Sequence, residues 1–351
     1  KWVCRECDII HQAATPKQII NKSIATPELL AHILISKYAD HQPLYRQNII
    51  YQRSGVTIPD ATMADWVGRC GVALEPLVSR LHELLLSEPI LHADETPVSI
   101  MKNHVKVGGK SLKKGYVWAY LTPQHSSLKA VVYDFAESRR NEHPKAFLDK
   151  WRGKLVCDDY SGYKFLFHQG VTEIGCLAHA RRKFHELHIT GQSIVSIEAL
   201  TLFRQLYAIE REIDERFEKN TPPIPRDPQI VRQIRQKKAK PIADKLHQWL
   251  QEKRQLTTKN ASISKAMDYC LKRWQALTQY LDDGRLPIDN NWAENQMRPW
   301  ALGRKNWLFA GSLRSGQRAA NIMSIIQSAR LNGLDVSAYL TDVLRRLPTQ
   351  E

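Results

Sequence analysis

Leu29, Leu30, Ile33 and Leu34 recur at i, i+1, i+4 and i+5, the spacing of one buried helical stripe, and Thr26-Pro27 ahead of them is a helix start signal. A further segment follows at 43–50, then the turn Ser54-Gly55-Val56, then a helix from about Asp60 through Trp66 to Arg69. Two short helices around a Gly turn resemble a helix-turn-helix, which would place Thr62, Asp65 or Arg69 near DNA. A hairpin that serves only packing has the same pattern.

The texture changes near Pro89. Segments 89–100, 116–121, 129–135 and 154–158 are rich in Val, Ile, Tyr and Trp, as strands are. Gly108-Gly109 and Gly115 punctuate the first connection, and 144–151 reads as a helix before the fourth strand. A fifth strand at 172–177 leads into a helix over 178–185. Three successive strands, a helix, a strand and further alternation describe an α/β fold with a mixed sheet flanked by helices. From 190 to about 285 long amphipathic helices return, marked by Leu200, Phe203 and Leu206 and by Leu246, Trp249 and Leu250, with a proline loop at 220–225. Arg232, Arg235, Lys237, Lys238 and Lys240 read most simply as a solvated helix face, with DNA backbone contact the lesser alternative. A helix at 319–331, an Asn332-Gly333 turn and a last helix through Leu340 to Leu347 close the chain, with no internal repeat.

Bulk properties narrow the partners. The 351 residues suffice for two or three domains, and 43% hydrophobic content is ordinary for a globular protein. The excess of 51 Lys and Arg over 36 Asp and Glu leaves +15, which makes nucleic acid the leading partner class through counterion release. No apolar run approaches the roughly 20 residues that cross a bilayer, so no membrane partner is expected. The start Lys1-Trp2-Val3-Cys4 is no signal peptide and lacks Met, which suggests a cytosolic protein missing some N-terminal sequence. The six cysteines form no disulfide framework.

Three separated carboxylates supply candidate chemistry: Asp94 in an apolar strand, Asp158 at the end of another, and Glu294 on a helix beside amides and cations. Two divalent cations about 4 Å apart activate an attacking oxygen and stabilise a leaving one at phosphorus. Hard cations want oxygen ligands, so Mg²⁺ or Mn²⁺, two per site, with Asp94 bridging and Asp158 and Glu294 each completing one shell, fits this layout. Singly, each acid has an ordinary reading. Asp94 caps the Thr96-Pro97 turn, Asp158 and Asp159 are turn residues, and Glu294 pairs with Arg298 at i+4. As an ordered set in a basic chain they favour a phosphoryl-transfer site.

The motifs "KYADHQPLYRQ", "DETPV" at Asp94, "DDYSGYKFL" at Asp158, "GCLAHARRKF" from Gly175, "DNNWAEN" near Glu294, "RKNWLFAGS" from Arg304 and "LNGLDVSAYLTDVL" stand in order over nearly the whole chain. In these the chain resembles the large DDE-type transposases of the bacterial insertion sequence 66 family. The resemblance implies a ribonuclease-H-like core, metal-dependent cleavage at element ends and strand transfer into target DNA, with Asp94, Asp158 and Glu294 catalytic and metal-binding. It also implies a bacterial cytoplasmic protein that works as a homo-oligomer on DNA, with small accessory proteins encoded by the same element. Asp159 stands where the family pattern has Gly, which makes it a second candidate ligand. The rivals are a ribonuclease-H-like nuclease without strand transfer, and a truncated transposase-derived DNA-binding protein.

Arg181, Arg182, Lys183, Arg298, Arg304 and Lys305 are candidate DNA-phosphate grips, with Trp307 a stacking surface. His179, Asn290 and Asn291 are candidates to orient the ligands. Cys4 and Cys7 form half of a zinc site. Related transposases carry another Cys pair upstream and His11 adds only a third ligand, so zinc is expected only in a longer form. The expected division is 1–20, a remnant of a zinc-binding motif; 21–88, a helical DNA-binding region; 89–190, the first part of the catalytic core; 191–285, a helical insertion; 286–312, the Glu-bearing part of the core; and 313–351, a helical C-terminal element.

Overall fold

The computed structural model describes residues 2–11, 17–102, 112–191, 194–219 and 224–350. The expected Gly108-Gly109 turn and residues 220–223 of the proline loop lie outside the described residues. A short antiparallel hairpin, β1 (Trp2–Val3) with β2 (Ile10–His11), precedes four helices: α1 (Pro27–Tyr38), α2 (Leu44–Arg53), α3 (Asp60–Ala73) and α4 (Glu75–Leu86). The start signal of α1 operates as read, with Thr26 Oγ1 accepting the Leu29 N–H at 3.3 Å and Pro27 at the first helical position. Gly55, at φ +77°, makes the turn between α2 and α3.

The sheet comprises β3 (Ile90–Met101), β4 (Leu112–Leu121), β5 (Val131–Ala136), β6 (Lys154–Val156) and β7 (Thr172–Ile174), with α5 (Glu142–Leu148) before β6 and α6 (Lys164–His168) before β7. Its order is β5-β4-β3-β6-β7; β4 runs antiparallel to both β5 and β3, and β6 and β7 run parallel to β3. Helices α7 (Leu177–Gly191), α8 (Ile194–Glu218), α9 (Pro228–Ile234), α10 (Lys240–Gln255), α11 (Ser262–Lys272) and α12 (Trp274–Thr278) follow. The chain then returns through α13 (Asn291–Trp307), β8 (Phe309–Ala310), α14 (Leu313–Leu331) and α15 (Val336–Arg346). This is a mixed α/β fold with a six-stranded mixed sheet. None of the described helices is long and apolar enough to cross a membrane.

Both edges that matter are closed by helix side chains. β4 pairs along one edge of β3 from His92 to Met101, so β6 at Ile90–His92 and β8 at Ser99–Ile100 share the other edge. Between them that edge has no strand partner. There Asn290 Nδ2 donates to the Ala93 carbonyl at 2.9 Å and Arg304 Nη1 to the Pro97 carbonyl at 2.6 Å, so α13 is pinned to β3 near both of its ends. On the far edge of β5, Ser324 and Ser328 of α14 accept the N–H groups of Tyr133 at 2.8 Å and Val131 at 3.1 Å. An i, i+4 serine pair thus substitutes for a strand and blunts an edge that would otherwise seek one.

One hydrophobic core joins the sheet to α1, α3, α4, α14 and α15. The helices of 21–88 therefore share the core of the sheet rather than building their own. Gly71 lets α3 approach α14 closely, since a Cβ there would lie 2.6 Å from the Arg318 Cβ. A second core belongs to α7–α12 and meets the sheet at Ile90, Val156 and Ile174.

One expectation is corrected inside that insertion. Arg235 is fully buried in a π-helical turn over Arg235–Ala239, not part of a solvated face. Its guanidinium meets both Glu210 carboxylate oxygens, at 2.8 and 2.6 Å, and the carbonyls of Tyr280 and Leu286, each at 2.9 Å. A cation this dry is tolerable only because all these acceptors converge on it. Arg235→Ala is expected to lower stability to urea by about 3–5 kcal/mol through the stranded Glu210. Lys237→Ala, two residues away on the exposed side, is expected to stay within about 0.5 kcal/mol of wild type. Equal effects of the two substitutions would contradict this account of the insertion.

Candidate active site

Asp94 sits opposite Ala119 of β4, which sits opposite Tyr133 of β5, and directly paired residues share a face. Tyr133 Oη donates to the Gln296 carbonyl of α13 at 2.5 Å, so this face, with Asp94 on it, looks toward α13. Asp158 lies two residues beyond β6, where its carboxylate accepts the Tyr160 N–H at 2.9 Å in a local turn. Glu294 occupies the first turn of α13. The sequence-separated acids are thus carried by the centre of a strand, the end of its parallel neighbour and a helix start.

Electrostatics tie them together. Burial above all, then Glu95, with Asp158 and Glu294 adding, pushes the Asp94 carboxyl up to about 8, against a hydrogen bond from the Glu95 N–H. Glu95 is itself raised by burial and by Asp158, although Arg139 and Tyr163 pull it back. Three acids penalise ionisation of Asp94, and a cation beside it would relieve that penalty.

Glu294 does not pair with Arg298. Among the described residues its ion-pair partners are His179, whose Nδ1 lies 3.7 Å from Glu294 Oε1, and Arg182, whose Nη2 lies 3.5 Å from Oε2. Glu294 Oε1 and His179 Nδ1 are both buried without a hydrogen-bond partner. Two orphaned lone-pair donors facing one another are what a shared cation would satisfy. The ligand atoms of Cys176, His179 and Glu294 lie within 4.8 Å of one another, whereas among the described residues Asp94, Asp158 and Glu294 do not form a group that close. Burial pushes the Cys176 thiol up to about 12, and its sulfur accepts the Asn290 N–H at 3.2 Å, so it serves packing better than ligation. Glu294, His179, Asp94 and Asp158 fit a divalent cation by donor chemistry.

Asn290 fixes these elements in place. Besides its bonds to Ala93 and Cys176, its Oδ1 accepts from His92 Nδ1 at 2.8 Å. His92 is held neutral, near 4, chiefly by burial. Asn291 donates to Asp289 at 2.9 Å, and Tyr207 of α8 donates to the same carboxylate at 2.8 Å. Asp159 turns away to Lys164 at 2.8 Å and Arg273 at 3.5 Å.

The candidate phosphate grips divide. Arg181, Arg298 and Lys305 are exposed, and Arg182 is half-exposed against Glu294. Lys183 lies over the Tyr269 ring at 4.4 Å. Arg304 is engaged by Thr96 Oγ1 and the Pro97 carbonyl, and Trp307 packs edge-on to buried Trp300 at 6.0 Å. Arg69 pairs with Asp65 at 2.8 Å on the surface of α3. Cys4 and Cys7 flank the β1–β2 turn, where the N–H groups of Glu6 and Cys7 hold the Cys4 thiol below its usual range; the His11 side chain lies outside the described residues.

Glu95 escaped the sequence reading. Its side chain is 2% exposed, bonded to Arg139 and, at 2.9 Å, to the Tyr163 hydroxyl, while Arg139 lies 3.9 Å over the Tyr160 ring. Strand alternation sends it to the face opposite Asp94, and an acid inside a strand buried on both faces was the available signal.

A family model described as "Transposase IS66 family" matches residues 22–318, and one described as "IS66 C-terminal element" matches 324–351. Among similar proteins are three uncharacterized proteins of Sinorhizobium fredii. The protein y4hP is 32% identical over 99% of this chain and 64% of its own length. For y4jD the figures are 34%, 99% and 68%, and for y4qI 32%, 99% and 64%. The chain therefore spans about two thirds of the length of these relatives. No solved structure matches it.

Two outcomes follow from this geometry. Without divalent cations, folded Asp94 keeps its proton to about pH 8 whereas an unfolded Asp, at 3.8, does not. The unfolded state then binds fewer protons, and stability falls as pH rises between those values. Asp94→Asn in EDTA should melt close to wild type at the acid end and above it at the alkaline end; parallel curves would refute the shift. Asn290→Ala strands the Ala93 carbonyl and His92 Nδ1, and a loss of about 2–4 kcal/mol is expected in denaturant titration. Asn291→Ala, at an exposed helix start, should cost less; the reverse order would contradict the clamp.

Proposed function

The chain belongs to the transposase IS66 family, and we propose that Asp94, Asp158 and Glu294 form a metal-dependent site that cleaves DNA at the ends of an insertion sequence and joins them to target DNA. The observation that carries this reading is a buried Asp94 at the centre of β3 whose carboxyl is pushed up by burial first, then by Glu95, with Asp158 and Glu294 adding. Three antiparallel strands continued by two parallel ones support a ribonuclease-H-like core interrupted by a helical insertion.

In cleavage, a water oxygen bonds to phosphorus as the bond to the 3′ oxygen breaks, leaving a 3′ hydroxyl. In joining, that hydroxyl attacks a target phosphodiester and the target strand's own 3′ oxygen leaves. Both are in-line displacements, so one arrangement of side chains serves both. Asp94, Asp158 and Glu294, with His179 beside Glu294, would hold the divalent cations, Mg²⁺ or Mn²⁺. When bound, these ions supply charge neutralisation and activation of the attacking oxygen. The chain's own part is positional. Asn290 docks α13 on β3, Arg182 orients Glu294, and Arg139 with Tyr163 holds Glu95. Exposed Arg181, Arg298 and Lys305 would meet phosphates, and pairing two DNA ends would call for a homo-oligomer, with accessory proteins as further partners.

The test uses labelled insertion-sequence ends with Mg²⁺ or Mn²⁺. Asp94→Asn, Asp158→Asn and Glu294→Gln should each reduce cleavage more than about 100-fold, beyond the usual effect of residues that merely support a metal ligand, while DNA binding persists. Asp159→Asn should cleave nearly as wild type. Strand-transfer products support the proposal, hydrolysis alone supports the nuclease reading, and cleavage unchanged by Glu294→Gln rules the assignment out.

A further inference from the structure

Two groups of arginines stand out along α7–α12 and their connections. Arg226, Arg235, Arg254 and Arg273 each meet a carboxylate. Arg181 on α7 and Arg204 and Arg211 on α8 do not; among the described residues none of the three has an acid within 4.0 Å. These three line one cleft of about 440 Å³ between α7 and α8. His185 and His188 lie on the same wall as Arg181, at i+4 and i+7, and Arg204 and Arg211 are seven residues apart on the facing helix. No Asp or Glu lines it, and His188 Nδ1 is buried there without a hydrogen-bond partner. Asn291, three residues before Glu294, borders it at the helix start that carries the candidate site.

Like charges gathered around a concave surface repel one another, and low-dielectric walls focus their field. Arg226, Arg235, Arg254 and Arg273 are offset by carboxylates, whereas Arg181, Arg204 and Arg211 face an open cleft that Ile197 and Leu200 also line. The chemistry missing from the cleft is a row of anions that accept hydrogen bonds.

We propose that the α7–α8 cleft binds the sugar-phosphate backbone of one DNA strand and leads it to Glu294. Arg181, Arg204 and Arg211 contact successive phosphates, while His185 and His188 add donors. The choice of DNA as the polyanion rests on the transposase reading. The cleft itself rests on the unpaired arginines.

The test is fluorescence anisotropy of the full chain with a labelled oligonucleotide in EDTA over a salt series, for wild type, Arg204→Ala/Arg211→Ala, and a control, Lys259→Ala/Lys265→Ala, that removes the same charge from exposed sites outside the cleft. Loss of two phosphate contacts should reduce the slope of log affinity against log salt by about 2 and weaken binding by about tenfold or more at moderate salt. The control should stay close to wild type. Equal losses in both variants overturn the proposal, as does wild-type affinity in the cleft variant; melting curves confirm that each is folded. Inorganic phosphate that displaces the oligonucleotide at matched phosphate concentration would make this a small-anion site and overturn the strand path. Asp94→Asn separates the two readings: retained affinity with lost cleavage is expected. A wild-type chain that binds through the cleft yet never cleaves would remove the catalytic reading and leave the cleft standing.

Discussion

The structure around the candidate site depends on one buried side chain, Asn290. Its amide donates to Ala93, the residue before Asp94, and its oxygen accepts from His92; its own N–H reaches Cys176, three residues before His179. Four residues later on α13 comes Glu294. A single asparagine therefore connects the strand that carries the first acid, the helix that carries the histidine and the helix that carries the last acid. An amide can do this because it offers donor and acceptor at once without charge, where a carboxylate would add a fifth anion to the group.

Around that clamp the chain arranges opposing electrostatic demands. Asp94 and Glu95 stand next to one another in a strand, raised by burial and by their acidic neighbours, and only Glu95 has its own counter-charge in Arg139. Asp159, which sequence alone offered as an alternative ligand, is neutralised by Lys164 and Arg273. Asp94 and Asp158 are left without an ion-pair partner among the described residues, while Glu294 is partly offset by Arg182. The helices beyond the sheet show the opposite imbalance: Arg235 closes their core on Glu210, while Arg181 on α7 and Arg204 and Arg211 on α8 have no carboxylate within 4.0 Å among the described residues. Uncompensated acid beside uncompensated base is the charge pattern of a site for a metal-bridged polyanion.

What was legible in the sequence was local. The alternating and apolar runs located β3, β5, β6 and β7 to within a few residues, because strand propensity and turn residues act at short range. β4 begins at Leu112 rather than 116 because Lys113 and Lys114 obscure its start, and the two-residue β8 had no pattern to read. α14 begins at Leu313, six residues before its apolar stripe, behind a capping box of Ser312 and Ser315. The order of the three acids along the chain was visible in the sequence, as was Asn290 beside the last of them. Arg235 was misread, Glu95 was missed, and the bonds of Arg304 to β3 went unseen, for a common reason. Each is defined by partners far along the chain, Arg235 by Glu210 and Tyr280, Arg304 by Pro97, Glu95 by Arg139, and no window of local sequence contains those partners.

The most direct test of the central claim is anomalous scattering from Mn²⁺ in crystals of the chain bound to an oligonucleotide. The account predicts manganese peaks ligated by Asp94 together with Asp158 or Glu294. Peaks confined to other residues, or the absence of any peak touching Asp94, would contradict it.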